Sequence, residues 1–273
     1  MKKLLIAGAL SGLVCSGVWA GVVIEMEESA QGGPAAAQVE TIYAQGEMLR
    51  MDSRDDGSGR MSIIFRDEAL WMVSHEEKSC QMIDRKGMEE LSARLGGVMS
   101  QMEAELAKLP PEQRAMMEEM MKSNLPAGMP GGAAGPPRRI EAGGADRVGE
   151  YACTLHILFA GDEKIWEVCA AAEKDLPAAA SEALGAFRAM SRFAEQLRET
   201  LQQGPLAAMI NTPFHDLNEV NGFPVRVRSY EGGRLASENS LKSIAGKDLE
   251  AGMFDVPEGY KVKKLADEIE QGR

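Results

Sequence analysis

Residues 22–84 alternate apolar and polar positions with a period of two, in short runs separated by turn residues. Val22–Ser29, Gln38–Tyr43, Glu47–Ser53, Met61–Arg66, Ala69–His75 and Ser79–Asp84 each read as a strand. Successive side chains of a strand point to opposite faces, and only the face toward the core must be apolar. Asp55-Asp56-Gly57-Ser58-Gly59, Asp67-Glu68 and Glu76-Glu77-Lys78 break the runs as turns. Few residues join one strand to the next, which predicts an antiparallel meander.

The period then changes. Met88, Leu91, Leu95, Val98, Met102, Leu106 and Leu109 recur at steps of three and four, the spacing of one helical stripe. Gly96-Gly97 is expected to interrupt this helix, since an interior Gly costs about 1 kcal/mol relative to Ala. Pro110-Pro111 ends it, and a second helix carries Met116, Met117, Met120 and Met121. Residues 86–122 thus form a Met-rich helical insertion. Residues 124–146 are rich in Pro, Gly and Ala, have little to bury, and are expected to be a flexible linker.

Ala178–Gln203 is a further helix, with Leu184, Phe187, Met190, Ala194, Leu197 and Leu201 on its stripe and Gly204-Pro205 as its stop. Phe223–Tyr230 and Arg234–Ile244 pattern as a hairpin around Glu231-Gly232-Gly233. Met253–Pro257 reads as a final edge strand, and Tyr260–Arg273 as a short helix.

Between these lies Arg147–Ala171, a hairpin around Ala160-Gly161-Asp162. With a three-residue loop, Phe159 faces Glu163 and Cys153 faces Cys169. Opposed residues of an antiparallel pair have Cα atoms about 4.5–5.5 Å apart, within reach of a disulfide. The same register puts Glu163 and Glu167 on the face that holds Tyr151, Leu155 and Ile157, which counts against it. The alternative pairs Cys80 with one of the two cysteines; otherwise Cys80 is a lone thiol.

The first twenty residues change the picture of where the protein works. Lys2-Lys3, the apolar run Leu4–Val18 and the small-residue site Val18-Trp19-Ala20 read as a cleaved signal peptide, so a periplasmic location is expected. Val14 disfavours lipid attachment at Cys15. No later stretch is apolar enough for a transmembrane helix, so an integral membrane protein is not expected. With 42 acidic against 30 basic residues the net charge is −12, which argues against a nucleic-acid partner.

Several stretches resemble a secreted bacterial domain-of-unknown-function family, number forty-four twelve. They are GEMLRMD (Gly46–Asp52), Ser62–Asp84, VGEYACTLHILFAGDE (Val148–Glu163), GFPVRVRSYEGG (Gly222–Gly233) and MFDVPEGY (Met253–Tyr260). The resemblance implies an exported protein built on a curved antiparallel sheet with helices on one side. The order of elements is also similar to the half-barrel of periplasmic lipoprotein carriers. The family has no settled activity, so the resemblance transfers no catalytic residue.

Candidate chemistry is sparse. His75, His156 and His215 stand far apart without an HExxH or HxH spacing, so no metal site is expected. GxSxG, CxxC, GxGxxG and P-loop patterns are absent, which leaves neither a catalytic residue nor a cofactor to name. The four Met of the second helix could take Cu(I) through thioethers, but they also mark the apolar face of an amphipathic helix, the commoner use.

The expected architecture is one α+β domain over residues 21–273: a curved, largely antiparallel half-barrel sheet, lipoprotein-carrier-like, with helical insertions packed on one face. The expected function is non-catalytic, an envelope binding or carrier protein for an apolar ligand such as a lipid or acyl chain. Phe65, Trp71, Trp166 and Phe187 are the candidates to line a groove, with Met116, Met117, Met120 and Met121 as its lid. The alternative is a structural or interaction protein that binds an envelope partner through its helices. A carrier needs a continuous apolar cavity of some hundreds of Å³. An interaction protein instead exposes an apolar patch.

Overall fold

The computed structural model describes residues 21–30, 38–55, 59–124, 136–201, 220, 222–250 and 252–264. Among them are a first run of strands, β1 (Val22–Ala30), β2 (Gln38–Gln45), β3 (Met48–Asp55), β4 (Gly59–Arg66), β5 (Ala69–Ser74) and β6 (Ser79–Asp84). Two helices follow, α1 (Arg85–Leu106) and α2 (Pro111–Asn124). The second run is β7 (Arg138–Val148), β8 (Tyr151–Ala160), β9 (Glu163–Ala171), the helix α3 (Ala180–Leu201), β10 (Phe223–Glu231) and β11 (Arg234–Gly246). A short β12 (Lys261–Lys264) ends the described chain.

All twelve strands join one open sheet in the order β12-β6-β5-β4-β3-β2-β1-β11-β10-β9-β8-β7. The first meander grows in one direction from β1 to β6. The chain then crosses to the opposite edge and returns from β7 until β11 pairs with β1. Every neighbouring pair is antiparallel except β12, which runs parallel to β6. The result is a sheet-dominated α+β fold.

The two halves differ in regularity. Pairings within β1–β6 keep an unbroken register. All five pairings from β1–β11 out to β7–β8 contain a register shift. A bulge adds one residue to one strand and bends it, so curvature concentrates in the second half.

One row of the regular half shows why the sheet buries this face. Ile24 pairs with both Ile42 and Ile244, Ile42 with Met51, and Met51 with Ile63. On this face α3 packs over β1, β2, β3 and β11. Val22, Ile24, Leu49, Phe65, Phe223 and Val225 meet Ala183, Leu184, Ala186, Phe193 and Leu197 in the main core. Phe65 and Phe193 have ring centroids 5.6 Å apart, and Phe187 meets Phe223 edge-on at 6.0 Å. Two polar contacts seat α3 on the β2–β3 turn. The Gly46 amide donates to Glu182 at 3.0 Å, and Arg192 pairs with Glu47 at 2.7 Å. A second, smaller core lies on the opposite face, where Ile64, Val73 and Cys80 pack against Phe254 with Trp71, Met253 and Tyr260 alongside.

Helix α1 begins where Asp84 caps it, accepting from the Gly87 amide at 2.7 Å. It runs through Gly96-Gly97 without the expected interruption. The three glycines in its 22 residues, Gly87, Gly96 and Gly97, weaken the helix but leave it continuous. Only Met88 and Leu91 are buried; past Leu95 the stripe emerges into solvent.

Three further expectations need correction. Residues 138–148 are not a flexible linker but the edge strand β7, paired along the whole of β8. Side-chain composition missed this because the strand is held by its backbone, with nearly every side chain exposed. Residues 125–135 of that stretch lie outside the described residues. Met253–Pro257 forms turns rather than a strand, and the segment after Tyr260 pairs as β12 instead of starting a helix. The helices do not all pack on one face, since the described side chains of α2 are exposed apart from Arg114.

Candidate functional site

The residues expected to line one groove do not come together. Phe65 is buried in the main core and Phe187 packs partly buried against it. Trp71 belongs to the opposite face, in the second core. Alternation decides this: Phe65 pairs with Leu70, so Trp71 points the other way. Trp166 is half-buried on β9, away from both cores. The cleft between α3 and the β4–β5 turn holds about 190 Å³. Phe65 and Phe193 form its floor, but Glu47, Asp67, Glu68 and Arg192 make its rim charged.

The helical insertion is different. Val98 is 62% exposed, Met102 36%, Met116 70% and Met117 42%. These are four of the seven exposed large hydrophobics among the described residues, all on one α1–α2 arm. Val98 and Met102 are one turn apart and share a stripe. Met120 and Met121 follow on α2, but their side chains lie outside the described residues. Arg114 holds the arm's bend by donating to the carbonyls of Leu106, Ala107 and Leu109 at 3.2, 2.8 and 3.4 Å. The Leu106 and Ala107 carbonyls close α1, where the last carbonyls of a helix lack i+4 partners and favour a cation.

The β8–β9 hairpin carries the disulfide. Cys153 and Cys169 are bonded with Cα atoms 5.4 Å apart. The turn is shorter than expected, Gly161-Asp162 between paired Ala160 and Glu163, and a bulge follows at Leu158/Phe159. Leu155 therefore faces Cys169, and the disulfide spans the diagonal. The objection raised by Glu167 also dissolves. Its side chain accepts from Lys164 at 2.8 Å, Tyr230 at 2.7 Å and Arg228 at 3.5 Å. Burial pushes the Glu167 carboxyl up, but the Lys164 and Tyr230 hydrogen bonds and the nearby positive charges outweigh it, so it titrates below the ordinary Glu range. Arg228 also pairs with Glu238, and Lys164 sits 3.7 Å from the Tyr230 ring centre.

A second polar network, which the sequence pattern did not reveal, lies under the C-terminal segment. Asp52 and Ser62 are paired neighbours on β3 and β4. The Ser62 hydroxyl donates to Asp52 at 2.6 Å and contacts His75 Nε2 at 2.7 Å. His75 Nδ1 meets the Tyr260 hydroxyl at 3.0 Å. Arg50 donates to Asp52 at 2.7 Å and to the Met253 carbonyl at 2.9 Å. The trio of Asp, Ser and His invites comparison with a hydrolase, but the proton count opposes it. Ser62 has one hydrogen, and it goes to the Asp52 carboxylate. His75 Nε2 must then donate, whereas a general base facing a nucleophile must accept. Ser62 is also buried. The network ties the chain's tail to the sheet. Only the spacing of polar residues on an otherwise apolar face hinted at it, because positions 52, 62, 75 and 260 meet only in the fold.

Among the described residues no group of three or more His, Cys, Asp or Glu could hold a metal ion. Nor is any described helix long and apolar enough to cross a membrane. Cys80 is a free, buried thiol.

Residues 88–260, well over half of the chain, match the model of a domain of unknown function, DUF4412. The chain belongs to this family. The DUF4412 match includes the quoted stretches Val148–Glu163, Gly222–Gly233 and Met253–Tyr260; the two earlier ones precede it. No curated protein matches. Two solved structures are similar along most of the chain. One is an uncharacterized conserved protein from Thermus thermophilus, 7% identical, covering 90% of this chain and 91% of that one, with a TM-score of 0.44. The other is the complex of Pseudomonas aeruginosa MucA/MucB, 9% identical, covering 90% of this chain and 59% of that one, with a TM-score of 0.37. Neither likeness is close enough to bear on function.

Proposed function

We propose that this protein is an exported, non-catalytic binding protein of the cell envelope that holds a protein partner through its Met-rich helical arm. The observation that carries the reading is the exposed apolar surface of α1 and α2 at Val98, Met102, Met116 and Met117. Apolar side chains concentrated on one protrusion mark an interaction surface. Met is suited to it, because its flexible thioether adapts to varied apolar partners. The signal-peptide pattern and a disulfide in the β8–β9 hairpin support an oxidising compartment outside the cytoplasm, here read as the periplasm.

A lipid or acyl-chain carrier, on a half-barrel like that of lipoprotein carriers, is the second reading. What favours it is the large curved sheet with α3 over one face. A cleft of about 190 Å³ with a charged rim offers less room than a chain-like ligand requires. A copper site draws the least support, since of its four Met only Met116 and Met117 have described side chains, and these two point in directions about 100° apart.

The test is photo-cross-linking in living cells with a photoreactive residue at Met116 or Met117, and at exposed Arg188 on α3 as control. The proposal expects one discrete protein adduct from both arm positions and none from position 188. Lipid adducts alone would favour the carrier, and equal labelling at all three positions would sink the proposal.

A further inference from the structure

We infer that the C-terminal segment 252–264 is a pH-sensitive latch: protonation of His75 frees it from the sheet and bares the β6 edge. Among the described residues that edge is covered by β12 alone, four residues in a parallel pairing that starts at Lys261↔Ser79. The segment also supplies Phe254 to the second core, beside Cys80. Beyond the β12 ladder its polar ties include Arg50 to the Met253 carbonyl, Arg66 to Asp255, the Lys261 amide to the Lys78 carbonyl at 2.9 Å, Lys263 to Glu77 at 3.0 Å, and His75 to Tyr260.

The directions of the hydrogen bonds make His75 the sensitive point. Neutral His75 donates from Nε2 to Ser62 and accepts from Tyr260 at Nδ1. A proton added at Nδ1 removes the acceptor that Tyr260 uses and sets a hydrogen against its hydroxyl. The surroundings also resist the added charge. Arg60 lies alongside on β4, its carbonyl accepting from the His75 amide at 3.1 Å, and Arg50 on β3 is close. Asp52 opposes them, but it is already engaged by Arg50 and Ser62. On the His75 turn, Glu77 is engaged by Ser79 and Lys263. Burial first, then Arg60 and Arg50, hold the imidazole below its ordinary range while the latch is closed.

With the segment lifted, half-buried His75 becomes more hydrated and those constraints relax. The open form therefore binds a proton more readily than the closed one. Closure is fully favoured above the ordinary His range and weakens as pH falls through it toward the lower value of the closed form. A bared strand edge can pair with an extended segment of another chain.

Hydrogen exchange on the intact protein at about pH 7.5 and about pH 5.5, corrected for intrinsic rates, reads the latch directly. Peptides covering 253–264 and 79–84 should lose protection several-fold at the lower pH while β1–β3 do not. His75→Gln keeps a donor for Ser62 and does not titrate, so its protection should be equal at both pH values. Tyr260→Phe removes the hydroxyl, so the segment should be poorly protected at both, which also covers the case in which His75→Gln does not fold. Equal protection of the natural protein at the two pH values, or pH dependence persisting in either variant, would overturn the inference.

Discussion

The two meanders of this sheet are built from similar strands, yet they solve different problems. Strands β1–β6 pair without a bulge and carry apolar cores on both faces. The return half, β7–β11, is bulged at every pairing and carries the disulfide and the Glu167 network. A regular sheet can hold itself by packing. A bent one loses ladder hydrogen bonds at each bulge and needs other ties. Between the halves the chain extends the α1–α2 arm, whose described apolar residues past Leu95 belong to neither core.

That contrast can be broken by substitution. In the regular half, Leu49→Ala removes a fully buried side chain from beneath α3 and should destabilise by about 2–5 kcal/mol in urea unfolding. In the bent half, replacing Cys153 and Cys169 together by Ser should cost about 3 kcal/mol, seen as a lower urea midpoint, if chain entropy dominates. Glu167→Gln keeps the shape but leaves Lys164 and Arg228 without their shared carboxylate, for an expected loss of about 1–3 kcal/mol. Because the folded carboxyl titrates below its ordinary range, its contribution is present above the unfolded value and disappears as pH falls through the folded one. Urea midpoints measured across acid pH should thus converge for natural protein and Glu167→Gln. Asp84→Ala, at the junction with the arm, removes one cap and should cost about 1 kcal/mol. Met116→Ser with Met117→Ser should change stability by less than about 0.5 kcal/mol, because both side chains are exposed.

The same contrast explains what was legible in the sequence. The six strands of the regular half fall within a residue or two of their patterned runs, because alternation survives wherever register does. In the bent half the pattern located β8 and β9 and the disulfide pair, but a bulge at Leu158/Phe159 moved every partner beyond it. Strand β7 was invisible because its Gly- and Arg-rich sequence buries almost nothing. The amphipathic stripe of α1 was real, but periodicity does not say what covers a stripe, and past Leu95 it is exposed at Val98 and Met102 and only half-buried at Leu106. The groove candidates failed for the same reason: Phe65 and Trp71 are both apolar strand residues, and only pairing shows that they face opposite sides.

The most direct measurement is native mass spectrometry of the protein released from the envelope without detergent, beside the Met116→Ser, Met117→Ser variant. The account predicts a complex with one other protein chain, lost in the variant, while the variant's urea midpoint matches the natural protein's. A lipid-sized mass on the single chain, retained when both Met are replaced, would contradict it.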